Sequence, residues 1–302
     1  MKSIRKLIYK WISQRFMGDC SSYNSLEVRK GCRSKEQARA MFAKHKVPHA
    51  QGLIFFNPFK AHQFAKTHGF PLVIKPNVSG FSRGSHFPIT NFFELYKAIF
   101  LAKLWWPTTV VEQFLQGNNY RVLVVKGEIV SVLQRYSPFV KGNGVDNIDT
   151  LIDKENSIRE EMKLYPCIHP LQKGEQTKGF IKKKGYTLQT IPNKDEVVTL
   201  FYRISLAPGG VVRTINKQLV PEDNQKLFKE VLDMFDANIL GIDVIFEKGI
   251  EESYQSQKCI FLEVNSRPYL KMHDFPRYGA KEDISAHLQE LDALDIAQTD
   301  IF

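Results

Sequence analysis

The chain opens on a hydrophobic pattern of helical period: Ile4, Leu7, Ile8, Trp11, Ile12 and Phe16 recur at steps of three and four. Lys2, Arg5, Lys6 and Lys10 fall on other faces, so residues 1–16 predict an amphipathic helix. Lys10 and Arg15 interrupt any signal-peptide core, and no small-residue cleavage site follows. From Ser34 onward the apolar positions alternate between helix and strand periods. Ser34 is placed to cap a helix through Ala38, Met41, Phe42 and His45, and 47–56 reads as a strand after its turn. Asn57-Pro58 opens a second helix that closes at His68-Gly69. Residues 70–75 form a short buried strand stopped by Pro76. A loop, a helix capped at Thr90 or Asn91, and a strand over 108–114 follow.

The second half has a different texture. Residues 121–125 and 128–133 read as two strands about a tight Lys126-Gly127 turn. Gly142-Asn143-Gly144 is a loop, and 147–156 is a helix. Residues 163–184 carry six lysines with little apolar content and read as a mobile, solvated loop that could attract an acidic substrate. Leu227, Phe228, Val231, Leu232 and Phe235 line one side of a helix over 222–238, before strands at 241–247 and 259–265.

At 302 residues the chain exceeds a single small core. No apolar run approaches the roughly 18–20 residues of a bilayer span; the best, 238–246, carries Asp243, so no transmembrane span is expected. The net charge of +10 is concentrated at one end: residues 1–46 hold 12 Lys/Arg against three Asp/Glu, leaving the rest at +1. Basicity therefore says little about the central chemistry. Nucleic-acid binding is disfavoured, because the N-terminal aromatic residues follow core spacing rather than a stacking platform. The amphipathic segment is read as docked on the body, on a second subunit or partner protein, or on an anionic membrane surface. Cys20, Cys32, Cys167 and Cys259 form no C-x-x-C pair, which argues against zinc or a disulfide framework and for a cytoplasmic compartment.

The chemistry concentrates in three places. Gly241-Ile-Asp-Val-Ile-Phe buries Asp243 in an apolar strand, and Phe261-Leu-Glu-Val-Asn places Glu263 and Asn265 on one strand face. Buried carboxylates need a counter-ion, and carboxylates with an amide oxygen are hard ligands suited to Mg²⁺, with Mn²⁺ as a substitute. Pairing with lysines at strand ends is the alternative. Lys75 ends an apolar strand and precedes Asn77-Val-Ser-Gly-Phe-Ser-Arg-Gly84, a small-residue loop able to approach an anion. It is not the G-x-x-x-x-G-K-[ST] phosphate loop. Third, Val110-Val-Glu-Gln-Phe-Leu-Gln-Gly presents Glu112 and backbone groups that could meet an adenine edge.

These motifs, in this order, resemble the ATP-grasp superfamily over roughly residues 33–290. The stretches Arg121 to Asn156 and Glu263 to Gly279 (E-V-N-S-R-P-Y-L-K-M-H-D-F-P-R-Y-G) are similar to the cyanophycin synthetase ATP-grasp domain. The resemblance implies an α+β ATP-grasp fold, two α/β lobes with mixed or antiparallel sheets gripping ATP between them. Residues 1–32 would be a basic helix and linker, 33–69 an N-terminal α/β segment, 70–115 a small lid lobe, and 116–302 the large lobe. Lys35 and Lys75 match phosphate-contacting lysines. Ser79, Gly80 and Gly84 match the phosphate lid, and Glu112, Gln113, Phe114 and Leu115 the adenine hinge. Asp243, Glu263 and Asn265 match the magnesium ligands, and Arg135 an arginine near the acyl phosphate. Ser205, Arg267, His273 and Pro276 fall around the substrate pocket. Asn119 stands where a ribose-binding acid is common and Ser82 where glycine is usual; Ser205, Arg267 and Tyr269 also depart from the pattern. The implied activity is an ADP-forming carboxylate–amine ligase acting on an amino acid or peptide. A kinase that stops at phosphorylation and a nucleotide-binding protein without turnover are the alternatives.

Overall fold

The computed structural model describes residues 23–33, 35–77, 84–292 and 294. The segment 1–16, Cys20, Ser34, and Ser79, Gly80 and Ser82 of the small-residue loop lie outside the described residues, as does the Lys35 side chain.

Helices α1 (Leu26–Arg33) and α2 (Lys35–Lys44) lead into strand β1 (Gly52–Phe55). Helix α3 (Pro58–His68) starts as its sequence predicts: Asn57 Oδ1 accepts from the Phe59 N–H at 3.0 Å, and Gly69 leaves the helix at φ 74°. β1, α3, β2 (Leu72–Pro76), β3 (His86–Ile89), α4 (Phe92–Lys103) and β4 (Thr109–Gln113) form the first lobe. Its sheet has the order β1-β4-β2-β3, with every pairing antiparallel. Leu72, Ile74 and Val111 from the sheet pack against Phe64, Leu95 and Ile99 from the two helices. β3 is a strand that the sequence pattern conceals. Pro88 lies within it, and an edge position tolerates a residue with no ladder N–H.

The second lobe is built on the predicted hairpin, β5 (Asn118–Val125) and β6 (Glu128–Tyr136). Lys126 and Gly127 take φ 45° and 78°, as a two-residue turn of this hand requires. β7 (Phe139–Lys141) and β8 (Val197–Thr199) form a separate ribbon. β9 (Val211–Ile215), β10 (Ile239–Phe246) and β11 (Cys259–Asn265) join the hairpin in the order β11-β10-β5-β6-β9, again antiparallel. One face of this sheet, through Val122, Ile242, Val244 and Phe261, packs on α7 (Glu222–Met234) and on Phe42 of α2. Strand alternation sends Arg121 and Asp243 to the opposite face, and a bulge in β11 between Phe261 and Glu263 brings Glu263 there too.

Helix α5 (Ile148–Glu161) is capped by Asn147, whose Oδ1 accepts from the Thr150 N–H at 2.9 Å. The lysine-rich 163–184 stretch departs from expectation, because it contains α6 (Glu175–Lys182) with Thr177 and Ile181 buried. Ile181 packs with Val140, Ile148 and Val198, and Lys173 reaches Asp149 and Asp153 of α5 at 3.0 and 2.8 Å. One thin apolar stripe and these ion pairs order a segment whose composition reads as solvated. Two further helices, α8 (Lys271–Asp274) and α9 (Ser285–Asp292), follow β11. Among the described residues no helix is long and apolar enough to cross a membrane.

Candidate functional site

In the four-stranded sheet the register sets Val73 opposite Glu112 and Lys75 opposite Val110, so Lys75 and Glu112 share a face one step apart. Lys75 Nζ meets Glu112 Oε2, and Arg39 Nη1 of α2 meets Glu112 Oε1 at 2.6 Å. Glu112 is thus a buried carboxylate shared between two cations. Its strand neighbour is Gly52, where a Cβ would lie 2.6 Å from Glu112 Cγ and 3.2 Å from Arg39 Nη1. Only a residue without a side chain lets all three groups converge.

The connection between the lobes begins at Gln113, whose N–H donates to the Gln51 carbonyl at 2.9 Å. Phe114 N–H donates to the Pro71 carbonyl at 3.1 Å, and the Phe114 ring stacks on Phe87 with centroids 6.0 Å apart. Gln113, Phe114 and Leu115 line a cavity of about 490 Å³ with His49, Pro71 and Cys259. Glu112 sits apart from this trio, engaged inside β4.

The five-stranded sheet carries the denser cluster. Glu263, Asp243 and Arg121 are direct neighbours across β11, β10 and β5. Asp243 is clamped: Arg121 gives Nε to Oδ1 and Nη2 to Oδ2 at 3.1 Å, and Arg135 gives Nη2 to Oδ2 at 3.0 Å. Glu263 is the cross-strand partner of Asp243 on β11. Burial pushes the Asp243 carboxyl up, but the two guanidinium groups outweigh it and hold the group below the usual carboxylate range. Burial likewise lowers the Arg135 guanidinium, with Asp243 opposing the shift. Asn265 stands beside the pair and turns Nδ2 toward the Gly241 carbonyl at 3.4 Å. A Cβ on Gly241 would meet Arg121 Nη1 at 2.7 Å, so this glycine makes room for the guanidinium. Asn119 Oδ1 accepts from Arg135 Nε at 2.7 Å, and both side chains line a second cavity of about 230 Å³ with Tyr136 and Thr199.

The residues expected around a substrate pocket do not assemble as one surface. Ser205 is half-buried, and its carbonyl accepts from the Gly210 N–H at 2.9 Å in a turn; Arg267 is also half-buried. His273 and Pro276, expected in the loop that borders the acceptor pocket, are buried. α8 folds back onto the sheet, and His273 Nδ1 lies 2.8 Å from Ser131 Oγ while Nε2 has no hydrogen-bond partner. Burial, reinforced by the nearby Arg121 charge, lowers the imidazole to about 3, so it is neutral.

Two members of the site escape sequence reasoning. Arg121 did leave a signal, a cation inside an apolar strand just as Asp243 is an anion inside one. Arg39 left none, because a basic residue on an exposed helix reads as solvated. Among the described residues no group of three His, Cys, Asp or Glu side chains is placed to hold a metal ion. The oxygen set here is two carboxylates and the Asn265 amide. Adjacent carboxylates repel and gain from a shared cation, and this hard oxygen set suits Mg²⁺.

No protein-family model matches the chain. It is 28% identical over 256 residues to a cyanophycin synthetase of Geminocystis herdmanii, covering 83% of this chain and 29% of that protein. It is 27% identical over 296 residues to the cyanophycin synthetase of a Synechocystis species, covering 96% of this chain and 33% of the relative. The chain therefore spans about a third of the length of these curated relatives. Among solved structures, a bifunctional glutathione synthetase from Pasteurella multocida superposes with a TM-score of 0.64 at 22% identity, over 90% of this chain and 38% of that one. With its antiparallel lobes and the motif order along them, the chain has the ATP-grasp fold and resembles the cyanophycin synthetase-type ATP-grasp domain.

Proposed function

We propose that the chain is an ATP-dependent, ADP-forming carboxylate–amine ligase that joins an amino acid or peptide through an acyl phosphate. The observation that carries this reading is the cross-strand Asp243–Glu263 pair with Arg121 and Arg135 on Asp243, all on one sheet face. Such a cluster suits the stabilisation of polyanionic phosphate, where positioning and charge do the catalysis and no protein nucleophile is needed. The cyanophycin synthetase and glutathione synthetase names of similar proteins agree with it.

In this reading Asp243, Glu263 and Asn265 hold Mg²⁺, and the bound metal supplies charge neutralisation at the phosphate oxygens. Lys75 leaves Glu112 to meet a phosphate, while Arg39 keeps the carboxylate from standing unpaired in the lobe interior. Gln113, Phe114 and Leu115 supply the adenine edge of the site. Arg135 is held on course from two sides, by Asn119 and by Asp243, and meets charge developing on the acyl phosphate. Because Asn119 is neutral and accepts from Arg135, it orients the guanidinium without cancelling its charge.

The test is ADP release from Mg²⁺ and ATP over pools of amino acids and short peptides, with hydroxylamine to trap an acyl phosphate. Substrate-dependent ADP with hydroxamate formation is expected, and Lys75→Ala should lower the rate by two or more orders of magnitude, on the order of what removing a charged transition-state contact costs. Undiminished turnover in Lys75→Ala would place the phosphate site elsewhere. Phosphorylated acceptor without hydroxamate would make the enzyme a kinase.

A further inference from the structure

Helix α4 is apolar on both sides. Leu95, Ala98, Ile99 and Ala102 face the lobe core. Phe93, Tyr96, Phe100 and Leu104 follow the same helical period on the outside, with Phe93, Phe100 and Leu104 between 65% and 79% exposed. The stripe does not stand alone. His62 of α3 stacks on Phe92 at 4.5 Å and meets the Tyr96 hydroxyl at 3.1 Å, which joins the two helices into one surface. Phe59, one turn before His62, is exposed, and Lys103 Nζ lies 4.7 Å from the ring of exposed Phe56. Trp105 and Trp106, both exposed, follow directly on α4, with the Trp105 ring beside Gly84. Exposed aromatic side chains concentrated on two joined helices mark a contact surface.

Charge decides what it contacts. Between Gly52 and Pro107 the only acidic residue is Glu94, and its carboxylate is turned back to accept from Thr90 N–H and Oγ1 at 2.7 and 2.8 Å. Lys60, Lys66 and Lys97 stand exposed around the aromatic residues. Tryptophan, tyrosine and phenylalanine ringed by lysines, on helices too short to span a bilayer, match the chemistry of an anionic lipid–water interface. We infer that the α3–α4 face of the small lobe docks on an anionic membrane surface, with α4 lying in the interface plane.

The full chain carrying Trp11→Phe, so that Trp105 and Trp106 are the remaining tryptophans, is mixed with vesicles of phosphatidylcholine alone or with a third phosphatidylglycerol. Co-sedimentation with the anionic vesicles is expected, with tryptophan fluorescence quenched by brominated acyl chains. Phe93→Ser, Phe100→Ser and Leu104→Ser combined should raise the lipid needed for half-binding by about tenfold or more, and added salt should weaken the remainder. Lys60→Glu with Lys97→Glu should remove the preference for anionic vesicles. Binding of the triple-serine chain at the parent level, or binding without quenching, would overturn the inference and move the contact to another segment. A dimer in sedimentation velocity that the triple-serine substitution dissociates would also overturn it, because a second copy would then cover the face.

Discussion

At the scale of single residues, the site face of the large sheet stores two acid-sensitive groups with separate pH windows. His273 is neutral in the fold at about 3, against roughly 6.5 in an unfolded chain. As pH falls below about 6.5 the unfolded state takes up this proton first, and stability declines by up to about 1.4 kcal/mol per pH unit toward pH 3. Asp243 is held below the usual carboxylate range, so its contribution is complete at neutral pH and is lost only as pH drops under about 4. Urea midpoints against pH should therefore flatten between about pH 6 and 4 in His273→Gln, and only below that range in Asp243→Asn. Asp243→Asn should also lower stability at neutral pH by about 3 kcal/mol, because Arg121 and Arg135 would face a neutral amide in a buried site. Equilibrium denaturation measures this independently of turnover. Asp243, Glu263 and Lys75 were legible in the sequence because a charge inside an apolar strand needs a reason. The burial of His273 was not, since nothing in the local pattern shows that α8 folds back onto Ser131.

At the scale of elements, legibility followed length and punctuation. The Asn57 and Asn147 caps, Gly69, and the Lys126-Gly127 turn marked their elements because each solves a backbone problem with a particular residue type. Gly127 offers a clean check: a Cβ there would touch nothing within 4 Å, so Gly127→Ala should cost about 1 kcal/mol through φ alone. A thermal-melt series with Gly127→Asn, which tolerates the left-handed region better, should recover part of that loss. β7, β8 and β9 were not legible. Strands of three to five residues are too short to display a period, and β9 alternates poorly because Arg213 projects to solvent. α6 was hidden for a compositional reason, since Lys178 pairs with Glu175 of its own first turn and only Thr177 and Ile181 are buried.

At the scale of the whole molecule, the chain crosses between lobes more than once, and its charges follow. α2 packs in the core of the large lobe through Ala38 and Phe42, whereas Glu112 and Lys75 belong to the small-lobe sheet. The Arg39–Glu112 ion pair is therefore a tie across the hinge. Arg39→Ala should widen the distribution of lobe separations, read by fluorescence energy transfer between labels on α4 and α7. An unchanged distribution would mean that packing alone sets the lobe angle. The same carboxylate also restrains Lys75, which makes Glu112 a counterweight: whatever draws Lys75 away leaves the full negative charge to Arg39 and tightens the tie. Free energies of this kind are reciprocal. An anion on Lys75 should then favour the Arg39–Glu112 pairing by the same factor by which that pairing, on the far side of the hinge, raises the anion's affinity.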